Sequence, residues 1–270
     1  MNGDISITTP DGTELSSRRV GSGSGLVLVH GGILSKEAWQ FVEPLLAERH
    51  TVWSYDRRGH GSTSVTAGHS LDQELEDLAA VMDAAGGAVH LVGHSDGAFL
   101  CLEAAAHHPG LRSLVLYEPP VHFDRREAAL RRAKELLDGD DLEGFLDVFL
   151  TQVAAAAADE VAVLRSIPEA WGLLVRGARL YAAHADEFAS RIDEMLALGW
   201  HAERYRSVAV PTLLLVGALT ESPLFATADE MRAAVPHTEV AVLDGQRHMA
   251  AALDAAGFAT AVLGFTGSLR

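Results

Sequence analysis

The sequence has little of what defines several other classes of protein. It contains a single cysteine, Cys101, so neither an intramolecular disulfide nor a thiolate metal cluster can form. No run approaches 18 uninterrupted apolar residues, and the first ten residues lack the basic start and apolar core of a signal peptide. We therefore expect a cytoplasmic protein without a membrane partner.

Basic residues and cofactor motifs are also scarce. Lys and Arg number 21 against 37 Asp and Glu, for a formal net charge of −16. Nucleic-acid binding needs a basic surface along the phosphates, so this balance disfavours a nucleic-acid partner. No glycine-rich phosphate loop follows a strand, and the pair His107-His108 has no third ligand at useful spacing. We predict that the protein uses no metal or other cofactor.

What is present is a regular alternation of two patterns. Short buried-type runs are separated by amphipathic stretches such as 71–85, whose apolar residues recur at three and four positions. This alternation predicts an α/β fold with a mostly parallel sheet covered by helices on both faces. The predicted strands lie at residues 25–30, 51–55, 89–92, 111–117, 211–216 and 239–243.

The strand pattern stops between residues 121 and 207. This stretch is rich in Ala, Leu, Glu and Arg at helical spacing, with helix candidates at 127–137, 142–158 and 171–184. A chain of 270 residues has room for one large domain with an insertion. We predict a core domain of residues 1–120 and 208–270 and a helical cap of residues 121–207.

The segment with the clearest chemistry is Gly93-His94-Ser95-Asp96-Gly97. It is a G-x-S-x-G motif placed between a predicted strand and a predicted helix, which is the context of a nucleophile elbow. Glycines two residues either side of the serine let the strand and helix approach closely. The pattern predicts a serine nucleophile at the positive end of the following helix.

Three further motifs accompany this one, and together they resemble the α/β-hydrolase family over nearly the whole chain. They are His30-Gly31-Gly32 after the first core strand, the turn at 55–62, which is similar to the family's D-x-R-G-x-G-x-S turn, and a loop at 244–248 that ends in histidine. The resemblance implies Ser95 as nucleophile and His248 as its general base. It also implies an oxyanion hole made by the backbone N–H groups of Gly32 and Asp96.

The third member of the triad stays open between two residues. The family usually carries its acid three residues after a glycine that ends a late strand, and Thr220 stands there, with Glu221 one position later. Some members carry the acid at the end of the preceding strand instead, and Glu118 occupies that place, 23 residues after Ser95 (118 − 95). Glu118 and Glu221 are therefore alternatives for the acid, with an unrecognised third residue as the remaining possibility.

Two groups of residues are candidates for substrate binding. The side chain of Asp96, next to the nucleophile, is expected to face the pocket, pair with a cationic group of the substrate and disfavour an anionic acyl group. Aromatic residues of the predicted cap and of the strand before it are candidates for an apolar lining: Tyr117, Phe123, Phe145, Phe149, Trp171 and Tyr181.

These residues together predict a serine hydrolase with a small-molecule substrate. The expected reaction is cleavage of a carboxylic ester, thioester or lactone through an acyl-enzyme. Two alternatives remain open: carbon–carbon cleavage, acyl transfer or cyclisation on the same fold, and ligand binding without catalysis.

Overall fold

The computed structural model describes residues 3–64, 69–108, 110–122, 126–220 and 222–269, without the side chains of 222–227. Its centre is an eight-stranded sheet with the order β1-β2-β4-β3-β5-β6-β7-β8. The strands are β1 (Gly3–Thr8), β2 (Glu14–Gly21), β3 (Ser24–Val29), β4 (His50–Tyr55), β5 (His90–His94), β6 (Ser113–Tyr117), β7 (Thr212–Gly217) and β8 (Thr238–Leu243).

The sheet is mostly parallel, which confirms the predicted fold class. Strands β3 to β8 run parallel to one another. At the edge, β1 pairs antiparallel with β2, and β2 pairs antiparallel with β4. Five of the six predicted strands coincide with buried runs; β8, the outermost, is only partly covered. The hairpin β1–β2 was not predicted, because its strands carry mostly polar residues and lie at an exposed edge.

Helices cover both faces of the sheet. Apolar residues of α2 (Leu71–Ala84), α3 (Asp96–His107) and α9 (Ser222–Ala234) pack on one face, and those of α1 (Glu43–Leu46) and α11 (Ala255–Ser268) pack on the other. A short α10 (Ala250–Leu253) precedes α11. Such double coverage is what a sheet of buried parallel strands requires. Within the described residues, no helix has both the length and the apolar character needed to cross a bilayer.

The chain between β6 and β7 is helical, and we refer to residues 127–205 as the helical insertion. It contains α4 (Glu127–Asp138), α5 (Leu142–Val148), α6 (Ala158–Ser166), α7 (Pro168–Ala183), α8 (Ala185–Leu198) and a short 3₁₀ helix (Ala202–Tyr205). Its apolar side chains form a cluster of their own that also includes Ile33, Leu34 and Met249 from the loops after β3 and β8. The division into a core and a separate cap at 121–207 stays a prediction.

One predicted helix of the insertion is wrong as a continuous element. Residues 142–158 were expected to form a single helix, but α5 runs into a π-helical turn at Phe149–Val153, and α6 begins only at Ala158. The wider turn is closed by the Ala154 N–H donating to the Phe149 carbonyl at 2.8 Å, and Ala155 with φ 55° ends it. π-Helical turns are rare and frequently lie at functional sites.

Candidate active site

Ser95 stands at a strained turn between β5 and α3. Its φ of 53° and ψ of −126° lie outside the helical and extended regions, and its N–H donates to the Tyr117 carbonyl of the neighbouring strand at 2.9 Å. The flanking glycines are required sterically: a Cβ at Gly93 would lie 2.5 Å from the Cα of Ala98, and one at Gly97 would overlap the His30 carbonyl. The local sequence therefore forces this turn and leaves the serine at the N-terminus of α3.

His248 lies in the loop after β8, and its ring contacts a carboxylate. His248 Nδ1 is 2.7 Å from Glu118 Oε2, and both side chains are buried. Glu118 follows β6 directly, with φ 48°. Because β5 and β6 are parallel neighbours, Ser95 and Glu118 lie at the same edge of the sheet. The structure thus brings Ser95, His248 and Glu118 together.

The second oxygen of Glu118 is held by the end of β7. Glu118 Oε1 accepts hydrogen bonds from the Gly217 N–H at 2.9 Å and from the Thr220 hydroxyl. Burial raises the pKa of Glu118, but the hydrogen bond and charge of His248 and the two donors at β7 outweigh it and leave the pKa below its usual value. The carboxylate is therefore ionised at neutral pH.

Thr220 explains why the sequence departs from the family pattern. It stands where the family usually places its acid, and it donates its hydroxyl proton to Glu118. From the sequence, Thr220 was noted only because it stands where an acid was expected. Its role as a hydrogen-bond donor to the acid could have been inferred from that position together with the glutamate at the end of β6. Glu221, the alternative acid, lies outside the described residues.

The loop that carries His248 is braced by side chains from three elements. Tyr117 on β6 donates its hydroxyl proton to the Arg247 carbonyl and accepts from the Ala250 N–H at 3.3 Å. His94 Nε2 on β5 is 2.9 Å from the His248 carbonyl oxygen. Glu160 Oε1 on α6 accepts from the Met249 N–H at 2.9 Å. These contacts fix the backbone of the histidine loop.

Tyr117 therefore lies in a different place from the one expected for a substrate-binding residue. Its side chain is fully buried, stacks on His94 with ring centroids 5.2 Å apart, and packs against Phe258 of α11. A residue that ends a buried parallel strand points to one of two helix-covered faces. Here that face is beneath the histidine loop, and the tyrosine supports this loop instead of lining a pocket.

A cavity of about 60 Å³, partly open to solvent, lies beside Ser95. From the sheet it is lined by Gly32, Ser95 and Asp96, and from the helical insertion by residues of α4, the π-helical turn, α7 and α8. Of the aromatic candidates, Phe149 and Tyr181 line it. Phe145 packs beside them, Trp171 stacks under Arg165 at 4.2 Å, and Phe123 lies outside the described residues.

The two expected oxyanion donors face this region. Gly32 lines this cavity and also a smaller one of about 30 Å³ that it shares with Ser95 and His248. Asp96 is the first residue of α3, and the N–H groups of a first helical turn have no partner within the helix. The backbone groups of Gly32 and Asp96 are thus available beside the nucleophile.

The side chain of Asp96 already has a cationic partner. Asp96 Oδ2 is 2.7 Å from Arg57 Nη2, and Arg57 also contacts both carboxylate oxygens of Glu74 at 2.9 Å. The expectation that Asp96 pairs with a cation of the substrate, and that it repels an anionic group, loses its basis because its charge is balanced within the protein. Arg57 and Asp96 are distant in sequence, so no pattern predicted the pair.

Arg57 belongs to a buried charge cluster that links the sheet side to the helical insertion. Arg191 on α8 donates from Nε to Glu74 Oε2 at 2.9 Å, and His69 Nε2 is 3.2 Å from Glu74 Oε1. Burial raises the pKa of Glu74, but the guanidinium groups of Arg57 and Arg191 hold it well below its usual value. Sequence reasoning missed Glu74 and Arg191.

Comparison with known proteins is consistent with this geometry. The family model described as the alpha/beta hydrolase family matches residues 26–261. N-formylmaleamate deformylase from Pseudomonas putida is 30% identical over 257 residues, covering 88% of this chain and 87% of that protein. Pimeloyl-[acyl-carrier protein] methyl ester esterase from Xanthomonas campestris is 27% identical over 241 residues, covering 85% and 89% respectively.

A solved structure shares the whole architecture. The crystal structure of an alpha/beta hydrolase from Sphaerobacter thermophilus superposes with a TM-score of 0.82 at 28% identity, covering 97% of this chain and 99% of that one. The chain belongs to the α/β-hydrolase family and is a hydrolase.

Proposed function

We propose that the protein is a serine hydrolase that cleaves small carboxylic esters or lactones through an acyl-enzyme on Ser95, with His248 as base and Glu118 as acid. One observation carries the proposal: His248 Nδ1 is 2.7 Å from a buried Glu118 carboxylate, and the imidazole shares a cavity with Ser95. Nδ1 is thereby occupied, which leaves Nε2 to accept the hydroxyl proton of Ser95.

The acylation step uses these three side chains in sequence. Ser95 Oγ attacks the carbonyl carbon of the substrate while its proton moves to His248 Nε2. Glu118, ionised and held by Thr220 and Gly217, stabilises the imidazolium that forms. The N–H groups of Gly32 and Asp96 stabilise the negative oxygen of the tetrahedral intermediate. Collapse breaks the bond to the leaving group, which takes the proton from His248.

The deacylation step repeats this chemistry with water. His248 Nε2 takes a proton from a water molecule that attacks the acyl-enzyme, and it returns the proton to Ser95 Oγ when the acid product leaves. The proposed chemistry needs only side chains and backbone N–H groups, so it requires no metal or cofactor. We also propose a cytoplasmic enzyme.

A second reaction on the same site is removal of an N-formyl group. The relative from Pseudomonas putida is a deformylase by name. The surroundings of Gly32 favour a small acyl group: a Cβ there would lie 3.1 Å from Phe149 and 3.5 Å from the Tyr181 hydroxyl. A formyl or acetyl group fits beside these aromatic rings more easily than a branched acyl chain.

Ester cleavage and active-site labelling test the proposal. We expect the wild-type protein to hydrolyse p-nitrophenyl formate and acetate faster than the butyrate, and to take up one fluorophosphonate adduct on Ser95. Ser95→Ala is expected to lose both properties with an unchanged circular dichroism spectrum, because no other hydroxyl or thiol of the described residues lines the cavity shared with His248. Turnover that survives in folded Ser95→Ala protein would reject Ser95 as the nucleophile.

Product analysis separates hydrolysis from the related reactions. With an alcohol or amine acceptor added, hydrolysis yields mainly the free acid, whereas acyl transfer yields the new ester or amide. A dominant transfer product at low acceptor concentration would replace the hydrolytic proposal.

A further inference from the structure

Polar atoms without partners are concentrated at the cavity beside Ser95. Among the described residues, 11 buried side-chain nitrogen or oxygen atoms have no hydrogen-bond partner, and six of them belong to residues that line this cavity. They are Arg57 Nε, His60 Nε2, His69 Nδ1, Asp96 Oδ1, and Nη1 and Nη2 of Arg191. Buried polar groups are normally paired in proteins. A concentration of this kind marks a place where ordered water or a bound ligand supplies the missing partners.

The unpartnered atoms include the end of one guanidinium group. Arg191 is 3% exposed; only its Nε is used, by Glu74, which leaves both terminal nitrogens with N–H groups to donate. The two nitrogens lie in one plane, and a planar pair of donors matches the two oxygens of a carboxylate. Three of the six unpartnered atoms are guanidinium nitrogens, and the other three, Asp96 Oδ1 and one ring nitrogen each of His60 and His69, are acceptors when the imidazoles are neutral. The two terminal nitrogens of Arg191 are thus the donors that an oxygen-rich group would pair with.

A second arginine reaches the cavity from the residue just before the helical insertion. Arg126 immediately precedes α4, lines the cavity, and forms no salt bridge with any residue that the structure describes. Burial lowers the pKa of Arg126 and the charge of Glu118 raises it, but an arginine stays protonated at any physiological pH. An unpaired guanidinium in a partly apolar cavity is stabilised by an anion.

The ionised residues that line the cavity do not balance. Three arginines face two carboxylates, because Glu74 lies between Arg57 and Arg191, and Asp96 pairs with Arg57. Burial and the charges of neighbouring groups hold the pKa of His60 well below its usual value, so it adds no charge. The lining therefore carries one surplus positive charge, although the whole chain carries −16.

We propose that Arg126 and Arg191 form a subsite for a carboxylate of the substrate, so that the enzyme acts on an ester, lactone or formamide carrying a separate ionised carboxyl group. This inference rests on the proposed function, because it assigns the part of the substrate that does not react. The apolar side chains of Leu130, Phe149 and Met195 line the same cavity and are suited to a short carbon chain. Such a subsite orients the reacting carbonyl at Ser95.

A matched pair of esters tests the subsite. 4-Acetoxybutyrate keeps a small acyl group and carries a free carboxylate on its alcohol part, and 4-acetoxybutyramide is its neutral counterpart of nearly equal size. We expect the wild-type kcat/KM to favour the anionic ester by at least about 10-fold, since a charge-assisted hydrogen bond contributes about 1.5–3 kcal/mol and each 1.4 kcal/mol is a factor of ten. The ratio of the two kcat/KM values is the quantity to follow.

Two variants report on the two arginines. Arg126→Gln and Arg191→Lys are each expected to lower that ratio by about 10-fold, mainly through KM for the anionic ester. Arg191→Lys keeps a positive charge beside Glu74 and so protects the fold while it removes the planar pair of donors. Arg132→Gln is the control, because Arg132 lies exposed on α4 and its loss changes the net charge as much as Arg126→Gln does. This control is expected to leave the ratio unchanged.

The possible failures are distinguishable. If wild-type protein labels at Ser95 and hydrolyses both esters with equal kcat/KM, the hydrolase proposal holds and the carboxylate subsite is rejected. An equal fall of the ratio in Arg132→Gln would reject it as well, because the effect would then be long-range charge. If Ser95 takes up no label and neither ester is hydrolysed, the proposed function itself fails.

Discussion

Two residues of the candidate site have a backbone conformation that their side chains do not favour. Ser95 with φ 53° and Glu118 with φ 48° are non-glycine residues in the left-handed region, at the ends of neighbouring strands. Such strain persists only where surrounding structure enforces it, and it collects at functional sites. Here each N–H is fixed by the next strand, through Tyr117 and Leu215 respectively. The sheet therefore holds both side chains in place.

Replacing Glu118 by glutamine tests the acid at this scale. Glu118→Gln keeps the size of the side chain but removes the charge that stabilises the imidazolium, so we expect kcat to fall by about 10³–10⁴-fold. The measurement is ester hydrolysis by protein whose fold is checked by circular dichroism. Glu221→Gln, which changes the other candidate, is expected to stay within about twofold of wild type. The opposite ranking would assign the acid to Glu221.

Moving the acid to the place that the family usually uses gives a stricter test. Thr220→Val removes one donor to a buried carboxylate, and we expect kcat/KM to fall about 10-fold, because hydrogen bonds to charged groups contribute about 1.5–3 kcal/mol.

In the Glu118→Gln background, Thr220→Asp should restore part of the lost kcat by supplying a carboxylate from the end of β7. A double variant no more active than Glu118→Gln would contradict this geometry.

The sequence predicted individual residues of the site better than their pairings. Ser95 and His248 were predicted from motifs with fixed spacing along the chain, and the structure brings them together. The choice between Glu118 and Glu221 depends on how the ends of β6 and β7 meet, which no local pattern encodes. The ion pair of Asp96 with Arg57 and the contact of Glu74 with Arg191 join residues far apart in sequence. Their side-chain chemistry therefore became visible only in three dimensions.

At the scale of elements, α7 crosses the loop that carries Gly32, the proposed oxyanion donor, at very short range. A Cβ at Gly177 would overlap the carbonyl oxygen of Ile33, the residue after Gly32. Gly172 lies on the same helix, and a Cβ there would meet only the end of the flexible Arg176 side chain, at 3.3 Å. A side chain at Gly177 would therefore clash with packed backbone, whereas one at Gly172 could be accommodated by movement of a flexible side chain.

Alanine at each position gives opposite predictions. Gly177→Ala should lower the free energy of unfolding by about 1–3 kcal/mol, because the helix must shift away from a packed backbone, and should reduce kcat by displacing Gly32. Gly172→Ala should raise the free energy of unfolding by about 0.5–1 kcal/mol through helix propensity. Urea unfolding and ester hydrolysis measure both effects. Equal stability changes would contradict the close approach of α7.

Whether a strand or helix could be predicted from the sequence depends on how its residues are buried. Strands β3 to β7 are covered on both faces, so they are continuous apolar runs that stand out from the chain around them. Strand β1 lies at the edge and exposes most of its residues, β2 beside it is only partly covered and mostly polar, and no continuous apolar run marks either. The break after α5 depends on tertiary packing around Phe149, which helix propensity does not capture.

At the scale of the whole molecule, the buried histidines make stability depend on pH. Burial, with nearby charges, lowers the pKa of His30 to about 3 and that of His90 to about 4, and it holds those of His60 and His94 well below the usual value. These groups stay neutral in the folded protein, whereas the unfolded chain binds protons below its own pKa of about 6.5. Their contribution to the free energy of unfolding is fully present above about pH 6.5. It is lost progressively as the pH falls from there to the pKa of each histidine in the folded protein.

The free energy of unfolding should therefore fall as the pH drops from 7 to 5. Each fully buried neutral histidine contributes up to about 1.4 kcal/mol per pH unit below its unfolded pKa. Urea unfolding at several pH values measures the slope. His90→Gln, which cannot titrate and lies away from the cavity, should reduce the slope without removing it. A free energy of unfolding that is flat between pH 7 and 5 would contradict neutral burial.

With the proposed acid at the end of β6, the helical insertion separates two of the proposed catalytic residues from the third along the chain. The proposed nucleophile and acid both precede the helical insertion, and only the base follows it. A single break within the insertion therefore yields one fragment with Ser95 and Glu118 and another with His248. Neither fragment holds all three of the proposed catalytic residues, so catalysis requires that the two fragments reassemble. Turnover of an ester thus becomes a direct readout of fragment complementation, with the insertion as the natural place for the split.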